Sequence, residues 1–377
     1  MLRKLASAGE TVNFNFDETT VISGVSVNGE SITVVSALEG ESSSFTEVGN
    51  LAQLQAMQED LSADYKLIRN IDASETETWN EITSDEFTYY SVNGDTTELN
   101  YVASESTINV VNESGVDVTF TTNAGNDSIT IDDTYYDSNP EEFTISYDLA
   151  TPFNQGFNPI GDNDVINGVS FTGSFDGQNH TISNLSINRL DDDGVGLFGA
   201  IGAGVEVKNV GVINVNITGN KWWVGGLVGH NYKGNISNSY STGNVTGHNY
   251  VGGLVGENDE GNISNSYSTG NVSGEQYVGG FAGGNRDNGN ISNSYSTGNV
   301  TGELWAVGGL IGHNLDGNIS NSYWDKDSTG QSSSAGLPDS NGLTTSQMQG
   351  SSASSNMNFE FTSTWSTVTG DYPELQE

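Results

Sequence analysis

The chain has no cysteine, only 5 prolines and only 10 lysines and arginines among its 377 residues. Each scarcity excludes something. Without cysteine there is no disulfide scaffold, no Cys-ligated zinc and no thiol nucleophile. Ten cations against 49 aspartates and glutamates leave a formal net charge of −39. So acidic a surface repels phosphate, which excludes nucleic acid and anionic membranes as partners. No run of 18 apolar residues occurs, so the sequence shows no transmembrane segment. Met1-Leu-Arg-Lys4 resembles a charged signal n-region, but Leu5 to Gly9 is too short for the apolar region that follows one. No signal peptide is visible, and a secreted form is expected to have lost it. What is abundant is glycine, at 48 residues, with serine, threonine and asparagine. These are residues of turns and strands, and 34% hydrophobic content is enough to build a core.

The sequence repeats itself. Asn235-Ile-Ser-Asn-Ser-Tyr-Ser-Thr-Gly-Asn-Val-Thr-Gly247 returns at Asn262 and Asn290, and truncated at Asn318 to Tyr323. Between copies lies Val224-Gly-Gly-Leu-Val-Gly229, which returns at Val251, Val278 and Val307, at spacings of 27, 27 and 29. Weaker echoes precede them, and the ladder Ile182, Val207, Ile236, Ile263, Ile291, Ile319 steps by 25, 29, 27, 28 and 28. A glycine-rich, β-branched repeat of this length cannot form helical pairs and is too short for a propeller blade. A β-solenoid of about six coils, stacked at roughly 4.8 Å, is what remains. Alternation predicts Ile236, Asn238 and Tyr240 facing inward, with Asn238, Asn265, Asn293 and Asn321 as an internal amide ladder. It predicts Ser237, Ser239 and Ser241 facing outward, and leaves the placement of Leu227 open.

Open solenoid ends need caps. Leu51, Leu54, Met57 and Leu61 recur at helical spacing behind Asn50, a good N-cap, and Tyr65 to Asp72 reads as a strand. At the other end, 345–349 reads as a short helix and 359–368 as a closing strand.

These motifs resemble the GLUG-motif repeat proteins. The two repeated blocks carry the resemblance, together with Asn158-Pro-Ile-Gly161, Phe171-Thr-Gly-Ser-Phe-Asp-Gly177, His180-Thr-Ile-Ser-Asn-Leu185, Asn321-Ser-Tyr-Trp-Asp325 and Gly370-Asp-Tyr-Pro-Glu-Leu375. The resemblance covers about residues 154–377 and the helix and strand at 48–80. It implies a right-handed parallel β-helix belonging to large secreted or surface proteins of bacteria and archaea, many adhesin-like, with no defined activity. One departure stands out. In that family a strand like Tyr65 to Asp72 runs almost directly into the Pro-Ile-Gly lead-in, whereas here a long stretch intervenes. Val116, Val118, Phe120, Ile129 and Ile131 alternate there, with turn signals at Asn93-Gly94 and Asn123 to Asn126, as in an antiparallel β domain. The expected organisation is therefore a β segment at 1–47 with a turn at Asn28-Gly29, a capping helix and first strand at 48–80, and an inserted antiparallel β domain at 81–153 that packs with 1–47. GLUG-type solenoid repeats at 154–324 and a C-terminal cap at 325–377 follow.

Chemistry is sparse. There is no His-Glu-x-x-His zinc motif. His230 and His313 share a repeat position three coils apart, roughly 14 Å at the coil spacing, too far to share one zinc ion; His230 over Glu257, one coil away, is a candidate metal pair weighed against a solvated turn residue. Within the repeats the acids, Glu257 and Asp259 among them, read as turn residues. Only Lys221, Lys233 and Arg286 are basic, and no carboxylate pair recurs beside a cation, so no glycosidase or lyase constellation is legible. The acidic turns Asp162 to Asp164, Asp191-Asp192-Asp193 and Asp325 with Asp327 are Ca²⁺ candidates, weighed against plain solvated turns. Trp223, Tyr250 and Tyr277 precede successive Val-Gly-Gly blocks, Trp305 takes that place in the fourth, and Trp222 adds a neighbour. Such a column either fixes coil register or, if exposed, offers ring faces to a sugar. Asn-x-Ser/Thr sequons recur with the repeat, Asn235 and Asn262 among them.

The expected function is a non-catalytic, adhesin-like or structural surface module of a salt-adapted prokaryote. Its partners would be a surface glycan, a protein, or a second copy joined through the N-terminal β segment. The alternative is a β-helix that binds or cleaves polysaccharide along the aromatic column.

Overall fold

The computed structural model describes residues 26–27, 30–31, 45–91, 96–98, 108–112, 120–122, 128–131, 141–161 and 169–376. The turns expected at 93–94 and 123–126, the acidic loop at 162–164, and most of 1–47 lie outside them. The chain divides into two compact units, Met1–Phe45 and Thr46–Glu377. In the first, Ser26–Val27 pairs antiparallel with Glu30–Ser31 so that Val27 faces Glu30, the register that an Asn28-Gly29 turn requires.

The second unit is a parallel β-solenoid of about five turns, and its most regular face is the five-stranded sheet Phe198–Ile201, Val228–Tyr232, Val255–Asp259, Ala282–Arg286 and Ile311–Leu315. Every coil pairs in parallel with the next, and Ile236, Ile263, Ile291 and Ile319 stack in register. The rung before Val207 is Phe175, preceded by Tyr65, and not the expected Ile182, which pairs with Val212. Gln178 and Asn179 adopt positive φ and shift the register between Asp176 and His180. That irregularity hid the true step of 32 residues from Phe175 to Val207.

The expected strand parity fails beyond Ile236. Asn238, Asn265, Asn293 and Asn321 sit at φ between 44° and 48°, the left-handed conformation that asparagine tolerates best among non-glycine residues. Each turns a corner, so the residues after it change faces. Ser239, Ser266, Ser294 and Ser322, expected outside, are fully buried. Each donates from Oγ to the carbonyl two residues back at 2.8 Å. Ser266, Ser294 and Ser322 also accept from the backbone N–H of the serine one coil before. Ser241 is buried as well, opposite Gly226, where a Cβ would stand 2.1 Å from the serine Oγ. Tyr240, Tyr267 and Tyr295 lie outside the coil as a parallel stack with ring centroids 4.7 and 5.0 Å apart.

The predicted amide ladder at Asn238 is thus a half-exposed corner. The internal one is elsewhere. Asn231, Asn258 and Asn285 are fully buried, and each donates to the Oδ1 of the next coil's asparagine at 2.7, 2.8 and 2.9 Å, ending on Asn314. Their amides also reach the carbonyls of Gly234, Gly261 and Gly289. Leu227, Leu254, Phe281 and Leu310 are fully buried at the corner within the Val-Gly-Gly block.

Both ends are closed. Asn50 caps the helix Leu51–Gln55 through Gln53 N–H at 2.8 Å, and a 3₁₀ turn, Ala56–Glu59, follows. Leu54 and Met57 plug the core. Gln55 exchanges hydrogen bonds with the Asn158 backbone, and Gln58 bonds the Pro159 carbonyl. These side chains occupy backbone groups that an open edge would leave unpaired. At the far end the helix Thr345–Met348 forms behind a Thr344/Gln347 capping box. Residues 359–368, expected as one strand, contain only Trp365–Ser366, paired with Glu374–Leu375. Their hydrophobic alternation instead lays Phe359 and Trp365 against the tyrosine stack. Between cap and repeats, Glu81–Ser91 and Asn109–Asn112 flank Glu141–Asn154 in an antiparallel sheet, and Thr96–Glu98 and Phe120–Thr122 flank Ser128–Ile131 in another.

Replacing Asn258 by alanine removes one amide, leaving Asn285 Oδ1 in the core without its donor and Asn231 Nδ2 with only the Gly234 carbonyl. The expected loss is about 1–3 kcal/mol, read by urea unfolding. Asn262→Ala, which deletes two similar ladder bonds at the exposed surface, should cost no more than about 0.5 kcal/mol. Equal losses would contradict this assignment of the internal ladder.

Candidate functional site

The repeats differ most in two short sets of residues. One precedes each Val-Gly-Gly block: Lys221-Trp222-Trp223, His248-Asn249-Tyr250, Glu275-Gln276-Tyr277 and Leu304-Trp305-Ala306. The other follows it: His230, Glu257, Gly284 and His313 share one position, and Tyr232, Asp259, Arg286 and Leu315 another. The block between them turns at Gly226-Leu227, which folds the two sets onto one face.

Trp223, Tyr250, Tyr277 and Ala306 all adopt φ between 45° and 60°. For a residue with a Cβ this costs roughly 1–2 kcal/mol each. The strain turns the three rings onto the neighbouring column. Trp223 stacks on His230, centroids 4.6 Å apart and planes within 14°. Tyr250 occupies space above Gly284, where a Cβ would come within 2.7 Å of its ring. Tyr277 meets His313 at 4.8 Å and Tyr250 at 4.7 Å. Trp222 is 45% exposed and lies over Tyr250 at 5.9 Å. These four residues of the expected column are therefore brought together. Trp305 is in backbone register with Gln276, so it continues the Trp222 row, and its side chain lies outside the described residues.

The column under the rings is His230, Glu257, Gly284 and His313, in register. Glu257 and Asp259, expected in solvated turns, lie on the strand Val255–Asp259 at 1% and 6% exposure. Arg286, one coil on, donates to Asp259 at 2.7 Å and approaches Glu257 at 3.4 Å. A carboxylate pair beside a cation thus exists, contrary to the sequence expectation. The strand pairing creates it, and only the failure of these positions to repeat announces it. His230 stands 3.9 Å from Glu257 and 3.8 Å from Asp259, too far for hydrogen bonds. Buried atoms of this cluster without a hydrogen-bond partner are Trp223 Nε1, both His230 ring nitrogens, Glu257 Oε2 and Arg286 Nε.

Burial pushes the Glu257 carboxyl up, against the pull of Arg286 and His230. The His230 ring, then Arg286, hold Asp259 below the usual carboxylate range. Lys233 pairs with Glu260 one coil on at 3.0 Å, and the His248 ring contacts Glu275 at 2.7 Å.

The acidic turns have other partners. Asp193 accepts the Trp222 backbone N–H at 3.2 Å, and Asp192 lies 3.9 Å from Arg189; Asp191 is exposed. Asp325 is fully buried. One of its oxygens caps the helix Lys326–Thr329 through Asp327 and Ser328 N–H. The other accepts from Thr345 and Tyr372 at 2.6 and 2.5 Å. Asp327 accepts the Thr345 N–H at 3.1 Å. Among the described residues no group of three or more acidic or histidine side chains converges on a point where a metal ion could sit. Nor is any described helix long and apolar enough to cross a membrane.

The two carboxylates should titrate in opposite senses. Asp259 has a depressed pKa, so its contribution is complete above the ordinary aspartate range and is lost as pH falls through the lower folded value. The stability gap between wild type and Asp259→Asn should therefore be widest near neutral pH and close in strong acid. Glu257 has a raised pKa, so wild type should gain on Glu257→Gln as pH falls from neutral towards the ordinary glutamate range. Melting temperatures across pH test both, and gaps that do not move with pH would refute them.

The GLUG motif matches residues 224–246, 247–273, 274–301 and 303–323. Halomucin of Haloquadratum walsbyi is 45% identical over 96 residues, 26% of this chain and 1% of that protein. A protein of Evansella cellulosilytica, provisionally named a Gly-rich membrane protein, is 39% identical over 83 residues, 22% of this chain and 9% of the other. The chain thus spans only a small part of these relatives. A crystal structure of a candidate immunoglobulin A1 protease from Bacteroides ovatus superposes with a TM-score of 0.51 at 17% identity, covering 89% of this chain and 94% of that one. At that identity the likeness concerns the fold alone. The four consecutive GLUG-motif matches, over residues 224–323, coincide with the stacked coils.

Proposed function

We propose that the chain is a secreted or cell-surface module, adhesin-like and structural rather than catalytic, from a salt-adapted prokaryote. The observation that carries this reading is the unbroken stack of coils joined by buried amide and serine ladders. Such a scaffold presents one face many times over. Matches to halomucin and to a protein named for a membrane support the surface placement. The carboxylate pair beside Arg286 is enclosed, with Glu257 at 1% exposure, which favours an architectural role over attack on a polymer. A second reading, glycan binding along Trp222, Trp223, Tyr250 and Tyr277, is favoured by the open Trp222 ring.

Brief protease treatment of intact source cells should release peptides of this chain. Recovery from the cytosolic fraction alone would refute the surface reading. Incubation with polysaccharides should release no reducing ends, and release abolished by Glu257→Gln would overturn the non-catalytic reading.

Salt dependence follows from the charge of −39. Like charges interact across a Debye length of roughly 30 Å at 0.01 M salt and about 3 Å at 1 M. The melting temperature should climb between these concentrations, and a flat profile would contradict salt adaptation.

A further inference from the structure

We propose that the face made by the two non-repeating sets is a binding site for a neutral glycan, docked by stacking on Trp222. This rests on the glycan reading above and names the class of sugar and the residue that holds it.

The first ground is where the repeats differ. Ladder residues are constrained to repeat because each must match its own copy one coil away. The positions before and after the Val-Gly-Gly block escape that constraint, and the fold places them side by side. A repeat scaffold with its variation gathered on one face is the arrangement of a recognition surface. The second ground is strain. Three aromatic residues held at positive φ are over-determined by their surroundings, as at ligand clamps. The third is an open ring. Trp222 is 45% exposed and is backed by Tyr250 at 5.9 Å, so one face is supported and the other is free.

Charge selects the class. A polyanion meets the field of a chain at −39. The cations of this face are already paired, Arg286 with Asp259 and Lys233 with Glu260, apart from exposed Lys221. A neutral pyranose needs no counter-charge. Its less polar face stacks on an aromatic ring, and that contact survives molar salt, where ion pairs are screened. The ring row crosses three coils, roughly 10 Å at the coil spacing, which suits an oligosaccharide better than a single sugar.

Affinity electrophoresis of the purified chain tests this, with dextran, galactomannan and hydroxyethyl cellulose as neutral probes and alginate as the acidic one, at 0.15 and about 2 M NaCl. At least one neutral polymer should retard the chain, about equally at both salt concentrations. Trp222→Ala should weaken that binding about tenfold or more with an unchanged melting temperature, and Trp222→Tyr should restore most of it. If Trp222→Ala lowers the melting temperature, Trp222→Tyr decides: a stable Tyr variant that binds supports stacking at this position, and a stable one that fails to bind overturns it. Retardation by none of the neutral polymers, by alginate alone, or by any polymer equally well in Trp222→Ala and wild type would overturn the proposal. Cell-surface placement is read by protease release and stands or falls separately.

Discussion

Everything in the solenoid depends on one constraint. In a parallel stack, the neighbour of each side chain one coil away is its own counterpart, at about 4.8 Å. A buried residue must therefore be compatible with a copy of itself. Isoleucine and valine satisfy this by packing. Asparagine satisfies it because one amide both donates and accepts, as at Asn231, Asn258 and Asn285. Serine does so through a hydroxyl that accepts from one coil while donating within its own. A lysine or glutamate would repel its copy, which is one physical reason charge is so scarce in the repeated blocks.

Charge enters mainly where neighbouring coils differ, and several contacts there join an acid to a base or a histidine, although Glu260, Asp287 and Asp316 succeed one another at one corner. His230 lies beside Glu257, Lys233 beside Glu260, His248 beside Glu275 and Asp259 beside Arg286. These pairs favour one register among several that near-identical repeats would otherwise permit. The same departures give the face around Trp222 its chemical individuality. Register control and recognition use the same residues, so variation that specifies one also shapes the other.

The corner asparagines show where sequence pattern and structure part. Alternation assumes a strand that stays extended, and Asn238 leaves it by adopting positive φ. Residues on either side then follow different parities, so Ile236 faces inward as expected while Ser239 and Ser241 do too. Asparagine's tolerance of this conformation is visible in the sequence, but its actual use depends on the neighbouring coils. The N-terminal cap was more legible. Helical spacing of Leu51, Leu54 and Met57 behind Asn50 needs only local physics, and the structure has that helix and that cap. The aromatic column was legible as a list of residues. Its openness at Trp222 and its enclosure at Glu257 were not, because exposure depends on what the corner brings alongside.

The sequence by itself determined the repeat, its length near 28 residues, and hence a stacked β architecture with capped ends. Periodicity and propensity are local properties that survive without coordinates. Only the tertiary structure decided which asparagines form the buried ladder, which coil follows which before Val207, and that Glu257, Asp259 and Arg286 meet. Those outcomes depend on contacts between residues 27 or more apart, set by left-handed corners and register shifts whose effects accumulate along the whole stack.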